Sequence, residues 1–354
     1  MKIQAEKILV LRYRFIGDTV LTVPFLRNLR QAFPSARIDL MLEPISGQVI
    51  EGCPYLDRMI PFEVKTIHRY SNRSQKGKLA GFMQYRRMIK KEGYDAAFVL
   101  KRSLSSALLV WAAGIPRRIG FATEGRQLLL TDPVTYRQDQ HEVDNFLDCL
   151  RVLDIPVLTK NLELWPSPEG DAKMRSLFTE RGWKPSDLKI IIHAAASLPA
   201  KQWPLDRFSA VMRVLQEKYQ ARFIYTGATE DASLYREIEK LGHFHGLNLC
   251  GITSLRENLS FYRASNLFFG VDSGPLHMAA AVGVPAVALF GPTDERIWGP
   301  WGEGHRVITK RLSCYPCKPH KCGNNECMKK INVDEVIDVL EQKIGCLHPK
   351  TVKD

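Results

Sequence analysis

The sequence of 354 residues contains no apolar run long enough to cross a bilayer, since a spanning helix needs about 20 consecutive apolar residues. It also begins without the apolar stretch of a secretory signal peptide, because residues 1–7 lead directly into a predicted strand. These two absences predict a cytoplasmic protein whose thiols stay mostly reduced. The sequence has neither a Walker A motif nor a G-x-G-x-x-G motif, so nothing indicates P-loop or dinucleotide chemistry.

Acidic residues are absent from the segment 65–91, which contains nine Lys or Arg residues. The whole chain carries a formal net charge of +12 at pH 7. Such a surplus favours an anionic partner: nucleic acid, an anionic membrane surface or a phosphorylated substrate. A solvated loop, expected over 65–78, and a solvated helix face explain the segment equally well. Charge alone therefore leaves the class of partner open.

Strand-like and helix-like segments alternate on both sides of a polar segment, 165–170, that holds two prolines and a glycine. This pattern predicts two parallel-sheet α/β domains joined by a linker. We expect an N-terminal domain over 1–164 and a C-terminal domain over 171–332. The helical spacing of apolar residues after that predicts a closing helix and tail over 333–354.

The most informative stretch is 266–293, where two apolar runs flank a helix-like segment and predict a β-α-β unit. Asp272, Ser273 and Gly274 form the turn after the first run, and Pro275 suits the first turn of a helix. Small residues at a helix start leave backbone N–H groups open to an anion. The stretch therefore predicts a site for a phosphate or diphosphate.

A second small-residue loop, 194–200, follows a buried-type strand at the start of the C-terminal half. Its backbone N–H groups, Ser197 and Lys201 suit a diphosphate, although an ordinary loop with an exposed lysine fits equally well. His277 stands one turn inside the helix that follows the phosphate-type turn. It is either a satisfied helix-surface histidine or a donor to the ligand.

Asp18 follows a glycine at the end of the first predicted strand. An Asp at such a turn most often caps a helix. Alternatively, its carboxylate lies at the C-terminal edge of the first strand, facing an interdomain cleft, where it can act as a general base. Because Pro24 fits poorly inside a helix that begins at Asp18, we expect the helix to start near Thr22 and Asp18 to lie on a loop.

Four cysteines lie close together in the sequence near the C-terminus, with His320 among them: Cys314, Cys317, Cys322 and Cys327. Four thiols at this spacing fit a structural zinc or an iron–sulfur site, but the spacing matches no standard zinc finger. Unliganded or redox-labile thiols are the alternative. A nucleic-acid-binding protein built on the basic charge and a zinc-bound cluster is a rival function of a different class.

These motifs resemble those of the lipopolysaccharide heptosyltransferases, glycosyltransferase family 9, with the middle segment most similar to the heptosyltransferase II type. The matching segments occur in collinear order along most of the chain: 12–24, 93–120, 201–204, 271–277, 289–293 and 298–300. One departure is at 193–196, where His-Ala-Ala-Ala stands in place of the His-Pro-Gly-Ala of many members. The diphosphate contacts of that loop therefore stay open.

The resemblance implies a GT-B fold, in which two Rossmann-like parallel-sheet domains face an interdomain cleft. It implies an inverting transfer of heptose from ADP-heptose to the inner core of lipopolysaccharide, a Kdo/heptose-lipid A acceptor, with no cofactor required for catalysis. A family member that uses another nucleotide sugar or acceptor is the alternative. The resemblance also implies peripheral association with the cytoplasmic face of the inner membrane, and no nucleic-acid partner is expected.

The resemblance further assigns roles to residues of this sequence. The catalytic base falls on Asp18, and the donor-site lysine falls on Lys201. The phosphate-holding turn falls on Asp272, Ser273, Gly274 and His277, while Asp231 aligns more loosely with an acidic donor-site residue. The basic residues that we expect to meet acceptor phosphates and carboxylates are Lys101, Arg102, Arg117 and Arg118.

Overall fold

The computed structural model describes residues 4–62, 75–317 and 322–347, without the side chains of 75–78. The chain divides into two compact units, Met1–Asn161 and Leu162–Asp354. Residues 168–170, which we expected in a linker, instead form the first turn of a helix. The reason is local: the Ser167 side chain caps that helix and a proline occupies its first turn.

The first unit is built from strands and helices that mostly alternate along the chain. Its described elements are β1 Lys7–Leu11, α1 Ile16–Leu21, α2 Val23–Ala32, β2 Arg37–Leu42, α3 Pro44–Val49, β3 Arg58–Pro61, α4 Gln75–Glu92, β4 Ala96–Val99, α5 Leu104–Ala112, β5 Arg117–Phe121, β6 Asp132–Val134 and α6 Glu142–Arg151. The strands form a parallel sheet in the order β3-β2-β1-β4-β5-β6. Strand order therefore reverses between β1 and β4, and a crevice at such a point is where open α/β sheets bind ligands.

The second unit repeats this topology. Its described elements are α7 Pro168–Glu180, β7 Lys189–His193, α8 Leu205–Tyr219, β8 Arg222–Tyr225, α9 Ala232–Gly242, β9 Leu247–Asn248, α10 Leu255–Arg263, β10 Leu267–Val271, α11 Gly274–Ala281, β11 Ala286–Phe290, α12 Glu295–Trp298, β12 Arg306–Thr309, α13 Glu326–Lys329 and α14 Val333–Leu347. The parallel sheet has the order β12-β11-β10-β7-β8-β9. Here strand order reverses between β7 and β10.

The central strands are buried along their length, as expected for a parallel sheet covered on both faces. Every residue of β7, β10 and β11 is buried. Gly270 allows β10 and β7 to pack closely, because a Cβ at this position would lie 2.4 Å from the carbonyl oxygen of His193. The predicted β-α-β unit is confirmed as β10-α11-β11.

Two further helices of the second unit follow local sequence signals. Ser254 and Glu257 form a capping box at the start of α10, with Ser254 Oγ accepting from the Glu257 N–H at 3.1 Å. The closing helix α14 is present and packs against α8. Among the described residues, none of the helices has both the length and the apolar character needed to cross a membrane.

Two local expectations are corrected. Asp18 lies in the short helix α1 and not on a loop, because α1 ends at Leu21 and Pro24 falls in the first turn of a separate helix, α2. Of the basic segment, residues 65–74 lie outside the described residues. Residues 75–78, expected in a loop, begin α4.

Candidate functional site

The first group of polar side chains follows β1 and β4, the two strands at which the order of the first sheet reverses. Arg12 is the residue after β1, and Lys101 and Arg102 come shortly after β4. Asp18 lies in the first turn of α1, which follows β1. Parallel strands end at one edge of the sheet, so the topology brings these charged groups together.

Asp18 forms an ion pair with Arg12, and both residues are buried, with exposed fractions of 8% for Asp18 and 4% for Arg12. The Arg12 guanidinium also lies over the ring of Phe146, 5.2 Å from its centroid. The Asp18 side chain does not cap α1, so the capping alternative is not what the structure shows. The carboxylate is instead oriented by a buried cation, which the sequence analysis did not identify as a site residue.

Phe15 stands at the N-cap of α1 with φ 72°, a strained value for a residue with a Cβ. Its ring is exposed and has two cations near it. The Arg14 guanidinium lies 4.9 Å and the Lys101 Nζ 6.0 Å from the ring centroid. The residue that precedes α1 is thus in contact with basic side chains.

Lys101 has an unusual environment for a lysine. Burial and the neighbouring positive charge of Arg12 together lower its pKa to about 8, while Asp18 acts in the opposite direction. The ammonium group therefore changes charge within the physiological range, which an exposed lysine does not do.

A buried carboxylate, Glu142, completes the cluster at the start of α6. Burial raises the pKa of Glu142, whereas the positive charges of Arg12 and Arg102 favour its ionised form. Tyr136 donates a hydrogen bond to Glu142 Oε2 at 2.8 Å, and the Arg102 guanidinium lies 3.9 Å from the Tyr136 ring centroid. Neither Tyr136 nor Glu142 belongs to a motif that sequence reasoning could single out.

Arg117 and Arg118 are not brought to this cluster. They are the first two residues of β5, so they lie at the amino edge of the parallel sheet. Arg117 pairs with Asp132 at 2.6 Å, and Arg118 donates to the carbonyl oxygens of Ile115 and Leu129. Arg117 thus contacts the first residue of β6, and Arg118 contacts backbone carbonyls on either side of β5. We therefore do not keep them in the candidate acceptor site.

The second group of polar side chains follows β7 and β10, where the order of the second sheet reverses. Lys201 ends a 3₁₀ turn, Pro199–Lys201, after β7, and Asp272 directly follows β10. Their side chains form an ion pair, with Lys201 Nζ 2.6 Å from Asp272 Oδ2. The sequence-predicted lysine and the predicted phosphate-type turn are thus in contact.

The start of α11 has the geometry that an anion site requires. Ser273 is the N-cap residue, but its hydroxyl donates to the carbonyl oxygen of Val271 at 3.0 Å and makes no side-chain cap. First-turn N–H groups of a helix have no partner within that helix. Gly274 has no side chain to cover these groups, and His277 is buried one turn further on.

The two other predicted donor-site residues lie on neighbouring loops of the same edge. Ser197 is exposed in the loop after β7. Asp231 ends a 3₁₀ turn, Thr229–Asp231, after β8, and its Oδ2 accepts a hydrogen bond from the Ala228 N–H at 2.8 Å. That contact stabilises the turn.

A buried polar network lies beneath these loops. His193 Nδ1 is 3.0 Å from the carbonyl oxygen of Thr226, and Tyr235 donates to the same oxygen at 3.2 Å. The hydroxyl of Tyr235 in turn accepts from the N–H of Ala194 at 3.3 Å. Burial lowers the pKa of His193, so this ring is neutral near pH 7. The network fixes the first residue of the loop that leads to Lys201.

The described part of the cysteine segment, residues 314–317 and 322–327, packs at the same edge of the second sheet. The Cys317 N–H donates to the carbonyl oxygen of Pro292 at 3.2 Å, directly after β11. A Cβ at Gly291 would lie 3.3 Å from Cys327 Sγ. Within the described ranges, no group of three or more His, Cys, Asp or Glu side chains is arranged to hold a metal ion, and His320 lies outside those ranges.

Asn325, between the third and fourth cysteines, was not identified from the sequence. Its Nδ2 donates to the carbonyl oxygen of Gln202 at 3.1 Å and to that of Pro199 at 3.4 Å. These carbonyls flank Lys201. The described part of the cysteine segment therefore supports the turn that holds the candidate donor-site lysine.

Comparison with known proteins assigns the family. Residues 82–328 match the profile of glycosyltransferase family 9 (heptosyltransferase). The chain is 27% identical to lipopolysaccharide heptosyltransferase 2 of Escherichia coli (strain K12), with 96% of each chain covered.

Two solved structures share the fold. A family 9 glycosyltransferase from Veillonella parvula has a TM-score of 0.82 at 21% identity, covering 97% of this chain and 98% of the other. The Escherichia coli ADP-heptose lps heptosyltransferase II has a TM-score of 0.75 at 22% identity, covering 96% and 98%. The predicted α/β fold of the GT-B class, built from two Rossmann-like parallel sheets, is thereby confirmed. The family match extends over well more than half of the chain, and the protein accordingly belongs to glycosyltransferase family 9, the heptosyltransferases.

Proposed function

We propose that the protein transfers heptose from ADP-heptose to the inner core of lipopolysaccharide, with a Kdo/heptose-lipid A acceptor, and inverts the anomeric centre. The observation that carries this proposal is the Lys201–Asp272 ion pair at the strand-order reversal, directly beside the start of α11. A cation and the amino end of a helix at one sheet edge are suited to a nucleoside diphosphate.

In the proposed reaction, this edge of the second sheet stabilises the leaving group, ADP. As the glycosidic bond to ADP breaks, negative charge builds up on the diphosphate while the sugar acquires oxocarbenium character. Lys201 and the first-turn N–H groups of α11 are oriented before the reaction, so they stabilise this charge without reorganisation. Ser273, Gly274 and His277 belong to the same proposed donor site, with Ser197 and Asp231 at its margin.

Asp18 is the proposed general base of the first unit. In an inverting transfer the acceptor hydroxyl attacks the anomeric carbon from the face opposite ADP and loses its proton to a carboxylate. The ion pair with Arg12 holds the Asp18 carboxylate in place. Lys101 and Arg102 lie at the same sheet edge and supply positive charge for the phosphates and carboxylates of the acceptor.

The proposal extends to location and cofactors. An acceptor anchored by lipid A would place the protein at the cytoplasmic face of the inner membrane as a peripheral protein. No catalytic cofactor is expected, and transfer should persist after treatment with EDTA. We do not expect a nucleic-acid partner.

Product mass spectrometry tests the function. The purified chain is incubated with ADP-heptose and defined Kdo-lipid A acceptors, with and without a preceding heptose, and a mass gain of one heptose is expected on one of them. Thermal protection by ADP but not by UDP or GDP would support the donor assignment. Protection by UDP or GDP instead, with no heptose transfer, would favour a family member that uses another nucleotide sugar.

A further inference from the structure

Helix α5 of the first unit exposes an apolar stripe. Leu104, Leu108 and Trp111 are separated by four and three residues, so they share one face of the helix. Their exposed fractions are 47%, 38% and 51%. The other side of α5 is packed into the core of the unit through Ala107, Leu109 and Val110. Because the outward face of α5 is apolar as well as its inward face, we expect the outward face to contact an apolar environment other than the core.

Two neighbouring elements widen this stripe. The 3₁₀ turn Arg126–Leu129 packs beside α5 and exposes Leu128. On the α4 side, Leu79, Arg86 and Lys90 share one helix face. Arg86 Nε donates to the carbonyl oxygen of Ala112 at the end of α5, at 2.8 Å, so this face of α4 borders α5. Leu79 is also exposed.

The border of the stripe is basic. Arg87, Lys90 and Lys91 of α4 are exposed, and the segment 65–91 contains no acidic residue. Along the α4 edge, an apolar face with a tryptophan is bordered by cations and not by carboxylates, which is the composition of elements that lie in the interface of anionic membranes. A protein partner of ordinary composition would give no reason for this one-sided charge.

The stripe is also continuous with the proposed acceptor site. Leu104 comes two residues after Arg102. Arg126, in the neighbouring 3₁₀ turn, donates to the carbonyl oxygen of Lys101 at 2.7 Å. A surface that rested on the bilayer here would hold the acceptor cations close to lipid headgroups.

We propose that the α5 surface, formed by Leu79, Leu104, Leu108, Trp111 and Leu128, docks on an anionic phospholipid bilayer. This inference rests on the proposed function, because it gives the peripheral association a location on the chain. The apolar side chains would enter the acyl boundary, and the α4 cations would contact lipid phosphates. Each such cation contributes about fivefold to partitioning at low ionic strength.

Vesicle flotation with the full chain tests the proposal. The variant carries Leu108→Asp and Trp111→Asp, and the matched control is Ile252→Asp in the second unit, where the isoleucine is 59% exposed. We expect the wild type and the control to bind phosphatidylglycerol/phosphatidylethanolamine vesicles, and the double variant to bind at least about tenfold more weakly. Binding to phosphatidylcholine vesicles should be weak for all three.

A second readout separates this proposal from the function. Transfer to a deacylated, water-soluble acceptor should be equal in the three proteins, which also shows that the double variant folds. If the wild type fails to transfer heptose, the proposed function is wrong, while the vesicle result still reports on docking. If the double variant floats like the wild type, or if the wild type does not float, docking through α5 is wrong. A fall in oligomer mass caused by the double variant, with vesicle binding unchanged, would assign the stripe to a second copy of the chain instead.

Discussion

Lys201 Nζ lies 2.6 Å from Asp272 Oδ2, and the two residues follow the adjacent strands at which the order of the second sheet reverses. A lysine ammonium has three N–H donors. The ion pair with Asp272 positions these donors at the sheet edge where we propose that the diphosphate binds. The ion pair therefore holds the cation in place before any ligand arrives, which reduces the entropy that ordering a free lysine side chain would cost.

Replacing Lys201 tests the donor assignment. Lys201→Met removes the charge and its hydrogen bonds, and we expect kcat/KM for ADP-heptose to fall by about 10- to 100-fold. Lys201→Arg should restore little, because the planar guanidinium has a different donor geometry. The control is Lys218→Met, since Lys218 pairs with Glu341 on an exposed surface. Equal losses in both methionine variants, measured by initial rates, would contradict a donor role for Lys201.

Replacing Asp18 tests the general base. Asp18→Asn should lower kcat by about 10²- to 10⁴-fold, because an amide cannot remove the proton from the attacking hydroxyl of the acceptor. The dissociation constant of ADP, measured by calorimetry, should stay unchanged. Near-normal transfer at saturating donor would show that Asp18 is not the base.

The same substitution should also weaken the fold of the first unit. It leaves the buried Arg12 guanidinium without this carboxylate, which typically costs about 3–5 kcal/mol of unfolding free energy. Asp139→Asn is the matched control, because Asp139 is fully exposed and pairs with Arg137 on the surface. Denaturant titration should separate the two variants. A variant Asp18→Asn as stable as the control would mean that Arg12 does not depend on Asp18.

Much of the second unit was predictable from the sequence because its signals are local. The strands β7, β10 and β11 are continuous apolar runs, and small residues mark the turn before α11. The contact between Lys201 and Asp272 was not readable, since it depends on which strands are neighbours. Only the parallel pairing of β10 with β7 brings the two loops together.

The first unit shows what local patterns leave open. An Asp after a glycine, such as Asp18, is typical of a helix cap and equally compatible with a general base. Its ion pair with Arg12 depends on the position of α1 relative to the end of β1. The roles of Arg117 and Arg118 depended on which end of a strand they occupy. They begin β5, so their positive charge lies at the edge away from Asp18. Spacing in the sequence does not contain that information.

The environment of Lys101 predicts a pH dependence of acceptor binding. Burial and Arg12 lower the pKa of Lys101 to about 8, so the ammonium is charged below this pH and neutral above it. If Lys101 contacts acceptor anions, the KM of the acceptor should rise as the pH increases through about 8. The KM of ADP-heptose should not change over the same pH range.

Lys101→Arg is the matched variant for this prediction, because a guanidinium keeps its charge throughout the range. In initial-rate measurements on either side of the pKa, the arginine variant should lose the rise in acceptor KM. A rise of the same size in the variant would assign the pH dependence to another group.

Asn325 links the cysteine segment to the turn that carries Lys201. Its side chain donates to the carbonyl oxygens of Gln202 and Pro199, and its backbone is left-handed, with φ 42°. Asn325→Gly is the informative change, because glycine adopts this φ freely and only the side-chain hydrogen bonds are lost. An alanine would add backbone strain and confuse the result.

Loss of two hydrogen bonds of about 1 kcal/mol each loosens the turn. We expect Asn325→Gly to raise the KM of ADP-heptose by up to about tenfold, because Lys201 must then be ordered on binding. The acceptor KM should be unaffected, since the acceptor site belongs to the first unit in the proposed mechanism. Asn324→Gly is the control for the added glycine, because Asn324 is the neighbouring residue and contacts only Cys322 among its described partners. An unchanged donor KM in Asn325→Gly would show that the turn holds Lys201 without help from the cysteine segment.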